Sequence, residues 1–273
     1  MSYSFEPGRI YRMPTHFGPT PGPRQWPDEV GRDWKHGART LTVSASFLTD
    51  AARLDRHLPE GFALIGEPVV TVDFHYMTGI DWLAGRGYSM IFVSWPAAFT
   101  GQHDKASGKF LSVIWENLAD PIIAGRDEIG HPKLYAEIPE PRFWDGAQIC
   151  SAGWMGFRFL DLTVSELGDA APPSTKLQSD GTMMLKYLPR TGMWGETEIK
   201  QVTITPAEEP ETTVDRRQTG LGAIRFHRAT PSDLPTMYHV VNALADLPVI
   251  ESRGGSITHS YGSKWSRDQR VLA

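Results

Sequence analysis

The sequence predicts a β-rich α+β fold with few helices, and three observations carry that reading. Leu41, Val43, Ala45 and Phe47 alternate with Thr42, Ser44 and Ser46, the period-two pattern of a strand with one face buried. Further short runs rich in β-branched and aromatic residues follow, most of them separated by Gly, Pro, Asp or Asn. Helical spacing is scarce, so the regular strand–helix alternation of a doubly wound sheet is missing. Unpaired strand edges invite aggregation, and many short strands therefore point to a closed or sandwiched sheet.

The elements come in order. Residues 1–37 are rich in Pro, Gly and Arg, with Pro14, Pro19, Pro21, Pro23 and Pro27. Proline lacks a backbone donor and fixes φ, so this stretch is expected to be an extended arm over the surface. After the first strand, Thr49 or Asp50 can cap a short helix carrying Ala51, Leu54 and Leu58, stopped by Pro59-Glu60-Gly61. Strands are expected at Val69–Tyr76, Tyr88–Trp95, Phe110–Trp115, Arg158–Ser165, Met183–Leu188 and Glu198–Thr205. Met237, Val240, Val241 and Leu244 give helical spacing that ends before Pro248. The acidic run Glu208-Glu-Pro-Glu211 is expected to be a solvated loop.

Composition narrows the function. With 273 residues, 40% hydrophobic and 22% charged, the chain is an ordinary globular one with a real core. A net charge of -5 argues against nucleic-acid or anionic-membrane partners, which need a basic surface. No stretch approaches the roughly 20 apolar residues of a membrane span, and the first residues lack a signal-peptide pattern. Cys150 is the single cysteine, so no intrachain disulfide can form and a cytoplasmic setting is expected.

Familiar motifs are weak or absent. Gly220-Leu-Gly222 lacks a third glycine and opens no clear helix, which argues against a dinucleotide site. Asp73 and His75 share one strand face but show no third metal ligand, so a satisfied core or pocket histidine is favoured and no metal is expected. Cys150 reads as a small core residue. Met90, Phe92, Trp95, Trp115 and Trp194 are candidates either for a pocket lining or for plain core.

One segment stands apart: Ala124-Gly-Arg-Asp-Glu-Ile-Gly-His-Pro-Lys-Leu-Tyr-Ala136. It resembles the active-site loop of the acetoacetate decarboxylase superfamily, with Gly125-Arg126, Asp127 in the place of the family acid, and Pro132-Lys133 in register without a gap. Glu67-Pro68, Met184-Leu-Lys-Tyr-Leu-Pro189 and Asp246-Leu-Pro-Val249 followed by Ser256 and His259 resemble family landmarks in the same order. The likeness runs from about Arg39 onward at low identity. It implies a single domain over 1–273, built around a closed, largely antiparallel β-barrel whose interior holds the active site. It also implies a homo-oligomer and no cofactor.

By the same resemblance Lys133 condenses with a ketone. That chemistry needs a neutral amine, whereas a free lysine has a pKa of about 10.4. Burial or a neighbouring cation can lower it, and acetoacetate decarboxylase is itself the known case of the second route. The family's second lysine is Leu134 here, which leaves burial, Arg39 or Arg126 to depress the pKa. Arg39 lies near the family's substrate-binding arginine if one residue of slippage is allowed, and its planar fork suits a carboxylate. Asp73 aligns with a family glutamate; the family's second glutamate falls near Ser89 or Met90 and is missing. Glu128 is expected to move protons at the substrate, with a salt bridge to Arg126 as the structural alternative. The leading expectation is a Schiff-base carbon–carbon lyase, of aldolase or dehydratase type, acting on a small keto acid or ketone. The alternatives are a β-keto acid decarboxylase and a non-catalytic barrel binding small ligands.

Overall fold

The alternation at residues 41–47 is the first strand of the computed structural model, which describes residues 4–19, 38–171, 179–207, 212–262 and 269–273. Pro21, Pro23, Pro27 and the acidic run 208–211 lie outside the described residues. Strand β1 spans Arg39–Leu48, and β2 to β5 span Phe62–Leu64, Val69–Ile80, Arg86–Thr100 and Lys105–Glu116. Next come β6 Lys133–Tyr135, β7 Arg142–Trp144, β8 Ala147–Trp154 and β9 Phe157–Asp169. The last five are β10 Gly181–Pro189, β11 Thr197–Pro206, β12 Thr212–Phe226, β13 Glu251–Gly262 and β14 Arg270–Leu272. Helices are few: α1 Ala51–Asp55, α2 Ala119–Ala124 and α3 Tyr238–Ala245.

The strands form one sheet in the order β14-β11-β10-β5-β4-β3-β1-β13-β12-β9-β8-β7, with β2 on β4 and β6 on β5. Pairing is antiparallel except for β10 and β6 against β5. The expected ring is corrected here: β14 and β7 end the hydrogen-bonded order among the described residues, so the sheet is not closed by hydrogen bonds. It nevertheless curls, because the Trp115 ring on β5 lies 5.1 Å from that of Phe159 on β9, strands far apart in the order.

Curling encloses one face. Val43, Val72, Phe74, Ile91, Trp115, Leu160 and Ile257 are buried together there, with Leu234, Val241 and Leu244 from the region of α3 packed on them. Burying such side chains is the main stabilising term of the fold, at about 1.5–3 kcal/mol each. Asp50 caps α1, its side chain accepting from the Arg53 backbone N–H at 2.8 Å, and Leu54 enters the core. The opposite face carries Thr42, Ser44, Thr71, Asp73, His75, Met90 and Phe92, all half-buried. No helix among the described residues is long and apolar enough to cross a membrane.

Gly220 and Gly222 lie within β12. A Cβ at Gly220 would stand 2.1 Å from the Ser165 carbonyl oxygen, and one at Gly222 would stand 2.3 Å from that of Gly254. These glycines let neighbouring backbones approach, which is the ordinary reason for glycine inside a strand.

Candidate active site

The chain leaves β5 at Glu116, turns through α2 and one π-helical turn (Gly125–Ile129), and re-enters the sheet at Lys133. Gly130 makes the reversal at φ 77, in the left-handed region that glycine adopts without strain. Strand β6 then lies parallel to the end of β5, with Lys133 opposite Ile114 and Leu134 opposite Trp115. Successive strand residues point to opposite faces. Lys133 therefore shares the face of Ile114, Met90 and Phe92, while Leu134 packs on the enclosed core.

Lys133 is 7% exposed and Glu116 is fully buried. The ammonium nitrogen lies 2.7 Å from Glu116 Oε1 and donates to the Pro121 carbonyl at 2.9 Å. Neither oxygen of Glu116 accepts a hydrogen bond from any other described group. Burial holds the lysine below its ordinary range, opposed by the charge of Glu116 and, further off, of Glu128. Burial likewise holds Glu116 above the usual carboxylate range, opposed by Lys133. Both shifts act against charge separation. Tyr88, on the same face, is kept protonated by burial and by the nearby Glu116 carboxylate.

Gly125 makes room for the lysine. A Cβ at this position would stand 2.3 Å from Lys133 Cε and 2.6 Å from Nζ. Arg126 donates to the Lys133 carbonyl at 2.8 Å, tying the start of the π turn to β6. Asp127 is exposed, and its carbonyl accepts from the Lys186 ammonium on β10. The Glu128 carboxylate does not pair with Arg126 in the described contacts; Arg12 Nε, from the N-terminal arm, lies 3.6 Å from Glu128 Oε1. The two side chains are 13% and 7% exposed, so the arm reaches a buried position beside the loop.

Cross-strand register sets out the rest of this face. One row runs Glu116–Met90–His75–Thr42–Thr258, and the next runs Lys133–Ile114–Phe92–Asp73–Ser44–Ser256. Asp73 is thus on the lysine's face but three strands away, about 14 Å along the sheet at the usual strand spacing. Ser44 donates to Asp73 Oδ1 at 2.5 Å. Arg39 is exposed and shares the face of Leu41 and Val43, and Thr40 takes the position on the lysine's side. A one-residue slip in a strand exchanges faces, so the structure does not bring Arg39 to Lys133.

Glu116 escaped the sequence reading because the expected strand ended at Trp115. Continuing its alternation by one residue places Glu116 beside Ile114 on the lysine's side, directly opposite Met90. Glu116 thus lies across from Met90, near the place where the resemblance would set the family's second glutamate. Of the other pocket candidates, Trp95 and Trp115 are core, and Trp194 is 81% exposed. Cys150 is buried in the core, and burial pushes its thiol up to about 12, which rules it out as a ready nucleophile.

The fold is a curled β-rich sheet with a lysine and a carboxylate buried as a pair on one face. The chain belongs to the acetoacetate decarboxylase family, whose model matches residues 12–262. Among solved structures it is similar to an acetoacetate decarboxylase at 17% identity, over 87% of this chain and 89% of that one, with a TM-score of 0.65. The acetoacetate decarboxylase of Legionella pneumophila subsp. pneumophila str. Philadelphia 1 is 20% identical over 87% and 88% of the two chains, with a TM-score of 0.64. The enduracididine biosynthesis enzyme MppR, complexed with the condensation product of pyruvate and imidazole 4-carboxaldehyde, is 17% identical over 86% and 88%, with a TM-score of 0.64. No curated protein matches the sequence.

Proposed function

We propose that this protein is a Schiff-base carbon–carbon lyase of aldolase or dehydratase type that acts on a keto acid through Lys133. The observation that carries the reading is the buried Lys133–Glu116 pair at 2.7 Å. Burial disfavours both charged forms, so the ion pair passes its proton along the contact as the substrate arrives, and amine and carboxylic acid are the reacting forms. The freed Nζ lone pair attacks the ketone carbon. As the carbinolamine forms, its oxygen takes up the nitrogen's proton, and it then leaves as water with the proton from Glu116. Glu116 ends as the carboxylate counterion of the iminium. The iminium draws electrons from the adjacent carbon, and Glu128 accepts the proton released there. The resulting enamine attacks the carbonyl of a second substrate, whose oxygen takes the proton back from Glu128. Glu128 then removes a second proton from the same carbon and the hydroxyl departs with it as water. A further water adds to the conjugated iminium, its spare proton returns to Glu116, and Lys133 is freed with the unsaturated product of a dehydratase.

Arg12 is the cation placed to hold the substrate carboxylate, in the role the sequence offered to Arg39. Its Nε lies 3.6 Å from Glu128 Oε1 and makes no hydrogen bond among the described residues, and a guanidinium offers a planar fork suited to two carboxylate oxygens. The similarity to MppR supports a pyruvate-like substrate, since that enzyme is seen with a pyruvate condensation product.

Incubation with pyruvate and borohydride is expected to add the reduced keto-acid mass to Lys133, read by peptide mass spectrometry. A broad panel of ketones and keto acids that leaves Lys133 unlabelled would establish the ligand-binding reading instead. Bound pyruvate should exchange its methyl protons with deuterium, whereas acetoacetate should release little carbon dioxide. Rapid decarboxylation without exchange would reverse the order of the two enzymatic readings. In Gly125→Ala the new methyl pushes Nζ off Glu116, and labelling should slow by about a hundredfold, as small misplacements of reacting groups do. Unchanged labelling in that variant would show that the pair is not the reacting arrangement.

A further inference from the structure

The lysine's face continues past Met90 and Phe92 into a polar area that the chemistry at Lys133 does not use. On β3, Asp73 and His75 stand two residues apart on one side, and β1 sets Ser44 and Thr42 opposite them. Ser44 donates to Asp73 Oδ1, Thr42 Oγ1 lies 3.0 Å from His75 Nδ1, and Ser46 pairs with Thr71 at 2.9 Å. Strand β13 adds Ser256 and Thr258 in the same two rows. Asp73 Oδ2 and His75 Nε2 have no described partner, and both residues are half-buried within reach of solvent.

The hydroxyls of this half-buried face are paired across the strands, as buried polar groups must be. Here one acceptor and one ring nitrogen are held in place by neighbours while their outer atoms remain open. Asp73 repels an anion. Burial lowers the His75 pKa, the Asp73 carboxylate opposes that shift and Lys109 adds to it, so the neutral ring is favoured. A hydroxyl, which can donate to Asp73 and hydrogen-bond the neutral ring, fits both groups. The apolar strip of Met90 and Phe92 separates this area from Glu116 by two strand spacings, about 10 Å along the sheet, and from Lys133 by three, about 14 Å.

We propose that Asp73, His75, Thr42 and Ser44 form a second subsite, which receives the hydroxylated tail of the carbonyl compound that condenses at Lys133. The proposal rests on the Schiff-base reading for its chemistry but not for its binding. A site built to hydrogen-bond a substrate hydroxyl rejects the analogue without it far more strongly than an apolar pocket rejects an extra one.

The test has two arms. In the first, the full-length protein is given pyruvate with glyceraldehyde, propanal or benzaldehyde. The expected kcat/KM ratio of glyceraldehyde to propanal is about tenfold or more, and it should collapse towards one in Thr42→Val and in Asp73→Asn. Benzaldehyde or propanal as the best partner, or a ratio unmoved by both substitutions, would overturn the subsite. In the second arm, ligand-observed NMR with glycerol, which has the hydroxyls and no carbonyl, is expected to show saturation transfer that Asp73→Asn removes. Glycerol signals alike in both proteins, or absent from both, would overturn the proposal. Borohydride labelling of Lys133 by pyruvate, measured in every sample, reports the Schiff base separately. Loss of labelling with glycerol binding intact would sink the catalytic reading and leave the subsite standing.

Discussion

Glu116→Gln is expected to lower turnover by about 10²- to 10⁴-fold, the usual range for losing a positioned acid–base group. The amide keeps the shape of the side chain but can neither store the lysine's proton nor give it to the departing hydroxyl. The pH dependence should move as well, in a defined direction. Burial lowers the Lys133 pKa and the Glu116 charge raises it; without that charge the lysine's pKa falls further. Below its pKa the amine is protonated and unreactive, so a lower pKa extends the labelling plateau to more acidic pH. The variant should therefore be slower at every pH while its acid limb lies below that of the parent. An acid limb that stays in place or moves upward would mean that the Glu116 charge does not hold up the Lys133 pKa.

Leu134→Lys should damage the fold and leave the lysine's titration nearly untouched. Residue 134 is where the family resemblance places a second lysine, and a charge there would be expected to depress Lys133. The structure turns Leu134 to the other face, opposite Trp115 and against the core. An ammonium placed there meets apolar side chains, at a cost of about 2–4 kcal/mol. For a chain of this size that corresponds to a Tm lowered by roughly 3–8 °C in a calorimetric or circular-dichroism melt. A stable variant whose labelling plateau shifts to lower pH would show that position 134 faces the active amine after all.

How much was legible in the sequence follows from the range of each signal. The alternation of β1 is local and survives intact, and the expected strands on β3, β4, β5, β9, β10 and β11 all lie within observed ones. Strands β12 and β13 carry Gly, Arg and Ser where a strand signal needs branched or aromatic residues. They are strands because of tight backbone approach at Gly220 and Gly222, which depends on partners distant in sequence. The loop motif pointed to Lys133, and the structure buries it. Its carboxylate partner lies seventeen residues earlier on a different strand (133 minus 116), and no local pattern joins the two. Arg39 failed to reach the site for the opposite reason. Alignment tolerates a slip of one residue, but a strand does not, since each step exchanges inside for outside.

The three residues of β6 also make Lys133 a reporter on the state of the whole molecule. Its neighbour Leu134 anchors the strand to the core, and the amine meets Glu116 and Pro121 only when that strand is docked on β5. In the unfolded chain the same lysine is solvated and titrates like any other. On the proposed Schiff-base chemistry, selective capture of ketones at neutral pH is an expected signature of the native fold. Molecules that open β6 briefly lose it, and the fraction labelled in a short pulse with pyruvate and borohydride counts those in which the strand is seated.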